Sequence, residues 1–128
     1  MERWLENVSL APWYRLIGMK PRFRGGEIII ELDLEEKHHQ ALGVAHGGVV
    51  ASVLDSAIAL NINKELIKVG KIAVTAQLDV HYLKPASKGK IVGVGRPLYI
   101  GNRTAVGYGE AMIGDDLIAV ATALLVIR

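Results

Sequence analysis

The 128-residue chain predicts an α+β domain in which one long central helix is wrapped by a curved antiparallel sheet. Three observations carry that expectation. The run Val49–Ile62 lacks Pro and internal Gly, is too long for a strand, and is apolar most of the way round, as a buried helix must be. Five other segments read as strands, and the short breaks between the last ones suit hairpins. Gly93, Gly95, Gly107 and Gly109 fall inside two of those strands, where missing side chains permit sharp curvature or close backbone approach. A single helix against such a sheet is an arrangement in which the sheet wraps the helix.

Taken in order, residues 1–26 form a lead-in segment of the single domain 1–128, carrying both Trp, the only Phe and two of the four Pro. Gly25-Gly26 makes the entry turn to a first strand, in which Ile28, Ile30, Leu32 and Leu34 alternate with Glu31, Asp33 and Glu35. A polar stretch, Glu36–Gln40, leads to Gly47-Gly48 and the helix. Along that helix Ser52, Asp55 and Ser56 interrupt the apolar surface at i, i+3 and i+4, so one narrow polar stripe runs along it. Four strands follow: Lys71–Leu83, with Ile72, Val74, Ala76, Leu78, Val80 and Tyr82 alternating, then Lys90–Ile100, Thr104–Ile113 and Leu117–Ile127.

Composition removes several functional classes. With no Cys there is no disulfide framework, no thiolate-bound metal and no thiol nucleophile, and a cytoplasmic location is the default expectation. A formal charge of +2 is too small to argue for nucleic acid as a partner. The charged N-terminus does not read as a targeting segment, and Leu117–Ile127 falls short of the roughly 20 apolar residues of a membrane helix, so no membrane partner is expected. His38, His39 and His46 lack zinc-ligand spacing, and neither a metal nor another cofactor is expected.

The chemistry concentrates between Gln40 and Asp55. Gly47 and Gly48 open the helix, where backbone N–H groups lack intrahelical partners and the macrodipole is positive, so that end suits an oxyanion or simply a tight turn. Asp55 is a carboxylate on an otherwise apolar helix, a costly position unless it is paired, hydrated or used. Eight residues at about 1.5 Å place it ~12 Å along the axis from Gly47. The two cannot act on one carbonyl within a chain; a two-fold axis with antiparallel central helices would bring them together from two subunits.

The pattern Gly43-x-x-His46-Gly47-Gly48-x6-Asp55 resembles that of the hotdog-fold acyl-CoA thioesterases, in particular their phenylacetic-acid-degradation (PaaI-like) branch. The resemblance extends to Leu16-Ile17-Gly18, Val74-Thr75, Tyr82-Leu83-Lys84-Pro85-Ala86 and Gly101-Asn102-Arg103. It implies a hotdog fold, acyl-CoA as substrate, no cofactor, and a homodimer or dimer of dimers with shared sites. Many PaaI-like members carry Asn where this chain has Gln40; a related aryl-CoA branch uses Gln there but Glu as its acid, so Gln40 with Asp55 mixes two patterns. The roles implied are Gly47 N–H polarising the thioester carbonyl, Gln40 positioning it or the attacking water, and Asp55 acting as general base or nucleophile. Thr75 resembles the hydroxyl residue that faces the active-site water. His46 reads as an anchor for the glycine loop or a contact to the thioester. Gly48, Lys84, Asn102 and Arg103 are the expected CoA contacts, although the turn residues also read as ordinary solvated charge. Two alternatives share the fold: a non-catalytic acyl-CoA sensor and a dehydratase, the second disfavoured by His46-Gly-Gly followed by Asp55.

Overall fold

The computed structural model describes residues 1–128. Its elements are α1 (Glu2–Ser9), α2 (Pro12–Ile17), β1 (Lys20–Arg24), β2 (Glu27–Asp33), α3 (Gly47–Leu66), β3 (Ala73–Tyr82), β4 (Lys90–Ile100), β5 (Thr104–Ile113) and β6 (Asp116–Ile127), with single 3-10 turns at Glu36–His38 and Ile67–Val69. All six strands form one antiparallel sheet in the order β1-β2-β4-β5-β6-β3. The sheet curls around α3, which packs against β2, β3, β4, β5 and β6. This is the hotdog arrangement expected from the sequence. No helix is long and apolar enough to cross a membrane.

The lead-in does more than pack onto the domain. Pro12 opens α2 with its ring-fixed φ, and Gly18 closes it at φ +82°. The chain then forms β1, which pairs with β2 through the Gly25-Gly26 turn and extends the sheet by a strand that the sequence patterning does not reveal. Lys20–Arg24 alternates charge with Pro21 and Phe23, a pattern too short to separate from a loop.

Helix α3 runs from Gly47 to Leu66, beyond the apolar run at Val49–Ile62. Two asparagines explain how a polar end stays inside. Asn61 is buried, with its amide donating to the carbonyls of Ile28 and Ala57 at 2.8 Å while its oxygen accepts from Ile28 N–H at 2.9 Å. Asn63 does the same for the start of β3, donating to Ala73 O at 3.0 Å and accepting from Ala73 N–H at 2.7 Å. The helix is therefore pinned to β2 on one side and to β3 on the other.

The third strand departs from simple alternation. A bulge between Thr75 and Gln77 leaves Ala76 without a partner on β6 and switches the inward set. Before it Ala73 and Thr75 point toward α3; after it the inward residues are Leu78 and Val80. Ile72 and Val74, which the period-two pattern groups with Leu78 and Val80, are instead 55% and 54% exposed. The bulge matters for the site because it turns the Thr75 hydroxyl inward.

The mid-strand glycines set the distance between layers. A Cβ at Gly95 would lie 2.6 Å from the backbone C and O of Ala57 and 2.8 Å from Ile58 N. One at Gly93 or Gly107 would meet Val53 or Ile58 side chains at 2.5 Å. Side chains can yield; a helix backbone cannot without moving the helix. Gly95→Ala should therefore cost at least about 3 kcal/mol in urea unfolding, at the upper end of overpacking penalties. Gly26→Ala, where a Cβ meets nothing within 4 Å, should stay within about 0.5 kcal/mol of the parent.

Candidate active site

The site begins with the loop that delivers α3. Residues 38–46 are tied down almost entirely by backbone groups: His46 N–H donates to His38 O at 2.8 Å, Gln40 N–H to Val44 O at 2.8 Å, and Ala45 N–H to Ala86 O at 2.7 Å. Gly43 turns the loop at φ +81°. His38 is buried; its Nδ1 accepts from Glu35 N–H and its Nε2–H donates to Ile17 O at 2.7 Å. His39 Nε2–H donates to Ser87 O at 2.7 Å. The histidine cluster thus serves as a set of struts between the lead-in, this loop and the β3–β4 connection.

His46 is the N-cap of α3, and its Nδ1 accepts from Gly48 N–H at 2.8 Å. An acceptor at Nδ1 places the ring proton on Nε2. A histidine here does what Ser or Asp ordinarily does at a helix start. Gly48 N–H is consequently occupied, whereas Gly47 N–H has no acceptor within the chain and remains an open donor at the positive end of a 20-residue helix. Gln40 lies on the same loop, with its side-chain oxygen accepting from Leu42 N–H.

Two turns into α3, Asp55 Oδ1 accepts from Thr75 Oγ1–H at 2.7 Å. The carboxylate is half-buried and keeps its remaining acceptor capacity. The polar stripe containing it lies under α2: Trp13 Nε1–H donates to Ser52 Oγ at 3.1 Å, and Met19 Sδ is 3.9 Å from Ser56 Oγ. Tyr14 sits beside Ser56 and Asp55. Burial, helped by the Asp55 charge, pushes its phenol above the usual value. The lead-in therefore supplies aromatic cover for the stripe.

Two clefts flank the start of α3. One, of about 320 Å³, is lined by Gly47, Val50, Tyr82, Lys84, Pro85 and Ile118. The other, of about 450 Å³, lies on the α2 side against Trp13, Leu16, Lys37, His46, Gly48 and Val49. Lys84 thus shares a cleft with Gly47, where its Nζ also pairs with Asp116 at 3.1 Å.

Asn102 and Arg103 are elsewhere. Arg103 O accepts from Ile127 N–H at one end of β6, while Lys84 N–H donates to Ile118 O at the other. Nine residues of strand separate these points, ~30 Å. Within one chain the expected CoA contacts do not form one cluster. Gly47 and Asp55 are likewise apart, eight residues along one helix.

The stretch matching the thioesterase superfamily family model covers residues 42–121, most of the sheet and all of α3. The chain belongs to the thioesterase superfamily. A relative from Archaeoglobus fulgidus, provisionally named an esterase, is 33% identical over 109 residues, covering 84% of this chain and 66% of that protein. The human protein named acyl-coenzyme A thioesterase 13 is 33% identical over 67 residues, 51% of this chain and 45% of that one. The chain thus spans about half to two thirds of the length of these curated relatives. In fold, a Haemophilus influenzae thioesterase superposes with a TM-score of 0.87 at 20% identity, over 97% of this superfamily member and 90% of that chain.

Tyr82 is a site residue whose role sequence reasoning missed. It falls in a quoted motif, yet nothing in its spacing shows that its hydroxyl donates to Gly47 O at 2.7 Å. For Tyr14 the raised phenol has a measurable consequence. The folded state holds its proton where the unfolded chain releases one, so stability present below about pH 10 should decline as pH rises further. Tyr14→Phe has no proton to release there. In urea titrations at about pH 9 and 11 the parent should lose more stability than the variant does.

Proposed function

We propose that this superfamily member hydrolyses acyl-CoA thioesters to the free acid and CoA, at sites shared between two subunits. The observation that carries the reading is the pairing of an open Gly47 N–H at a helix N-terminus with a carboxylate, Asp55, held by Thr75 two turns along the same helix. One is an oxyanion donor and the other an acceptor for the proton of water, the two parts that acyl transfer to water requires. The name of the human relative, acyl-coenzyme A thioesterase 13, supports CoA as the thiol half of the substrate.

The separation of Gly47 from Asp55 by ~12 Å requires the partner. Strand β3 is an unpaired edge ten residues long, with Val74 exposed on it and Ile72 exposed just before it. Such an edge is a template for a second strand. Antiparallel pairing of two β3 edges about a two-fold axis runs the α3 helices in opposite directions and moves Asp55 of the partner subunit toward Gly47. The same axis reverses the ends of the sheet, carrying Arg103 of the partner subunit toward the Lys84 end. A basic phosphate site is then assembled from both chains, with Asn102 beside it.

In this site Gly47 N–H donates to the carbonyl oxygen of the thioester as negative charge develops there. Gln40 and His46 hold that carbonyl in place. In the general-base route, Asp55 takes a proton from water as its oxygen bonds to the acyl carbon; the C–S bond then breaks and the CoA sulfur takes a proton. In the nucleophilic route, an Asp55 oxygen displaces CoA to form an anhydride, which water opens. Thr75 keeps the carboxylate oriented in either route.

The test is release of free thiol from a panel of acyl-CoA thioesters. Asp55→Asn should lower kcat by about 10²-fold or more while binding is retained, the scale of lost acid–base help. Mixed dimers of Asp55→Ala chains with Gly47→Val chains should regain activity that neither homodimer has. Well-formed hybrids without activity would refute the shared site. Removing the charge of Lys84 or Arg103 should raise KM more than it lowers kcat, because contacts remote from the scissile bond act on ground and transition states alike.

A further inference from the structure

The Gly47–Gly48 peptide is gripped at both ends by side chains. Its N–H donates to His46 Nδ1 at 2.8 Å, and its carbonyl, that of Gly47, accepts from Tyr82 Oη–H at 2.7 Å. The two grips come from opposite sides: His46 belongs to the incoming loop, Tyr82 to the last residue of β3. The contact is close enough that a Cβ on Gly47 would lie 3.1 Å from Tyr82 Oη and 3.2 Å from Cζ. Two consecutive glycines give this first turn more backbone freedom than any other part of α3. Desolvation also holds the Tyr82 phenol above its usual range, so it remains a donor at neutral pH.

We propose that Tyr82 is a positioning residue for thioester hydrolysis, its hydroxyl fixing the Gly47–Gly48 peptide so that the adjacent, unpaired Gly47 N–H stays aimed at the substrate carbonyl. The inference rests on the hydrolase reading above. Tyr82 needs no contact with the reacting atoms. Its ring also forms a wall of the cleft that Gly47 and Lys84 share, so removing the whole side chain would alter substrate binding, whereas removing the oxygen alone would not.

That difference supplies the experiment. Tyr82→Phe keeps the ring and deletes one hydrogen bond; Tyr82→Leu removes the ring. Both are compared with the parent by thiol release, and amide hydrogen exchange at Gly47, Gly48 and Val49 is followed in parallel. For Tyr82→Phe the expected result is a kcat lower by about five- to tenfold, the effect of one modest hydrogen bond. KM should stay within about twofold, the thermal midpoint should fall by no more than about 5 °C, and exchange should quicken at Gly48. Tyr82→Leu should show the same kcat loss together with a raised KM. A Tyr82→Phe enzyme with parental kcat, or with only KM altered, overturns the positioning role while leaving the hydrolase reading intact. A parent that releases no thiol from any acyl-CoA overturns both.

Discussion

The close approach of α3 to the floor of the sheet is the constraint on which everything else depends. At Gly95 no side-chain atom fits between the strand and the helix backbone at Ala57. Gly93, Gly107 and Gly109 continue this thin floor under Val53 and Ile58. With the floor so shallow, the sheet must curve around the helix rather than lie flat beneath it, and its edges rise on either side. Asn61 and Asn63 then fasten the helix to β2 and β3 through backbone groups that would otherwise be buried without partners. Position along the helix axis and rotation about it are both fixed. As a result the Asp55 carboxylate accepts its hydrogen bond from Thr75.

A second constraint acts at the N-terminal end. A helix beginning with two glycines has little intrinsic reason to start at one residue and not the next. The loop before it supplies that reason through His38, His39 and His46, each of which bonds a backbone group of a different segment. Their partners make His38 and His39 struts and His46 a cap through its Nδ1, and the cap leaves the Gly47 amide without a partner within the chain.

The bulge in β3 links the fold to the reading of function. Without it, Thr75 and Ile72 would exchange faces with their neighbours, removing the hydroxyl from Asp55 and hiding the apolar residues that now lie along the edge strand. One extra residue, Ala76, therefore positions Thr75 on the inside and leaves Ile72 and Val74 on the outside. The same strand ends in Tyr82, whose hydroxyl reaches the first turn of α3. The edge available for pairing and the amide available to a carbonyl thus belong to one continuous element.

The sequence alone determined whatever depends on local periodicity and local backbone chemistry. The long apolar run of α3, the strands from β4 to β6, the glycines under the helix, and the stretch from Gln40 to Asp55 are all legible because each is a pattern within about twenty neighbouring residues. Tertiary structure decided what depends on contacts between distant segments. Strand β1 exists because β2 offers it an edge, and Asn63 stays helical because Ala73 answers both its donor and its acceptor. Trp13 and Tyr14 cover the polar stripe because α2 happens to dock there, and Lys84 and Arg103, both turn residues in sequence, lie at opposite ends of the sheet because β6 runs its full length between them. Hydrophobic and propensity signals act over a few residues and survive in the linear text; hydrogen bonds that join residues 20 to 40 positions apart are written only in the packed chain.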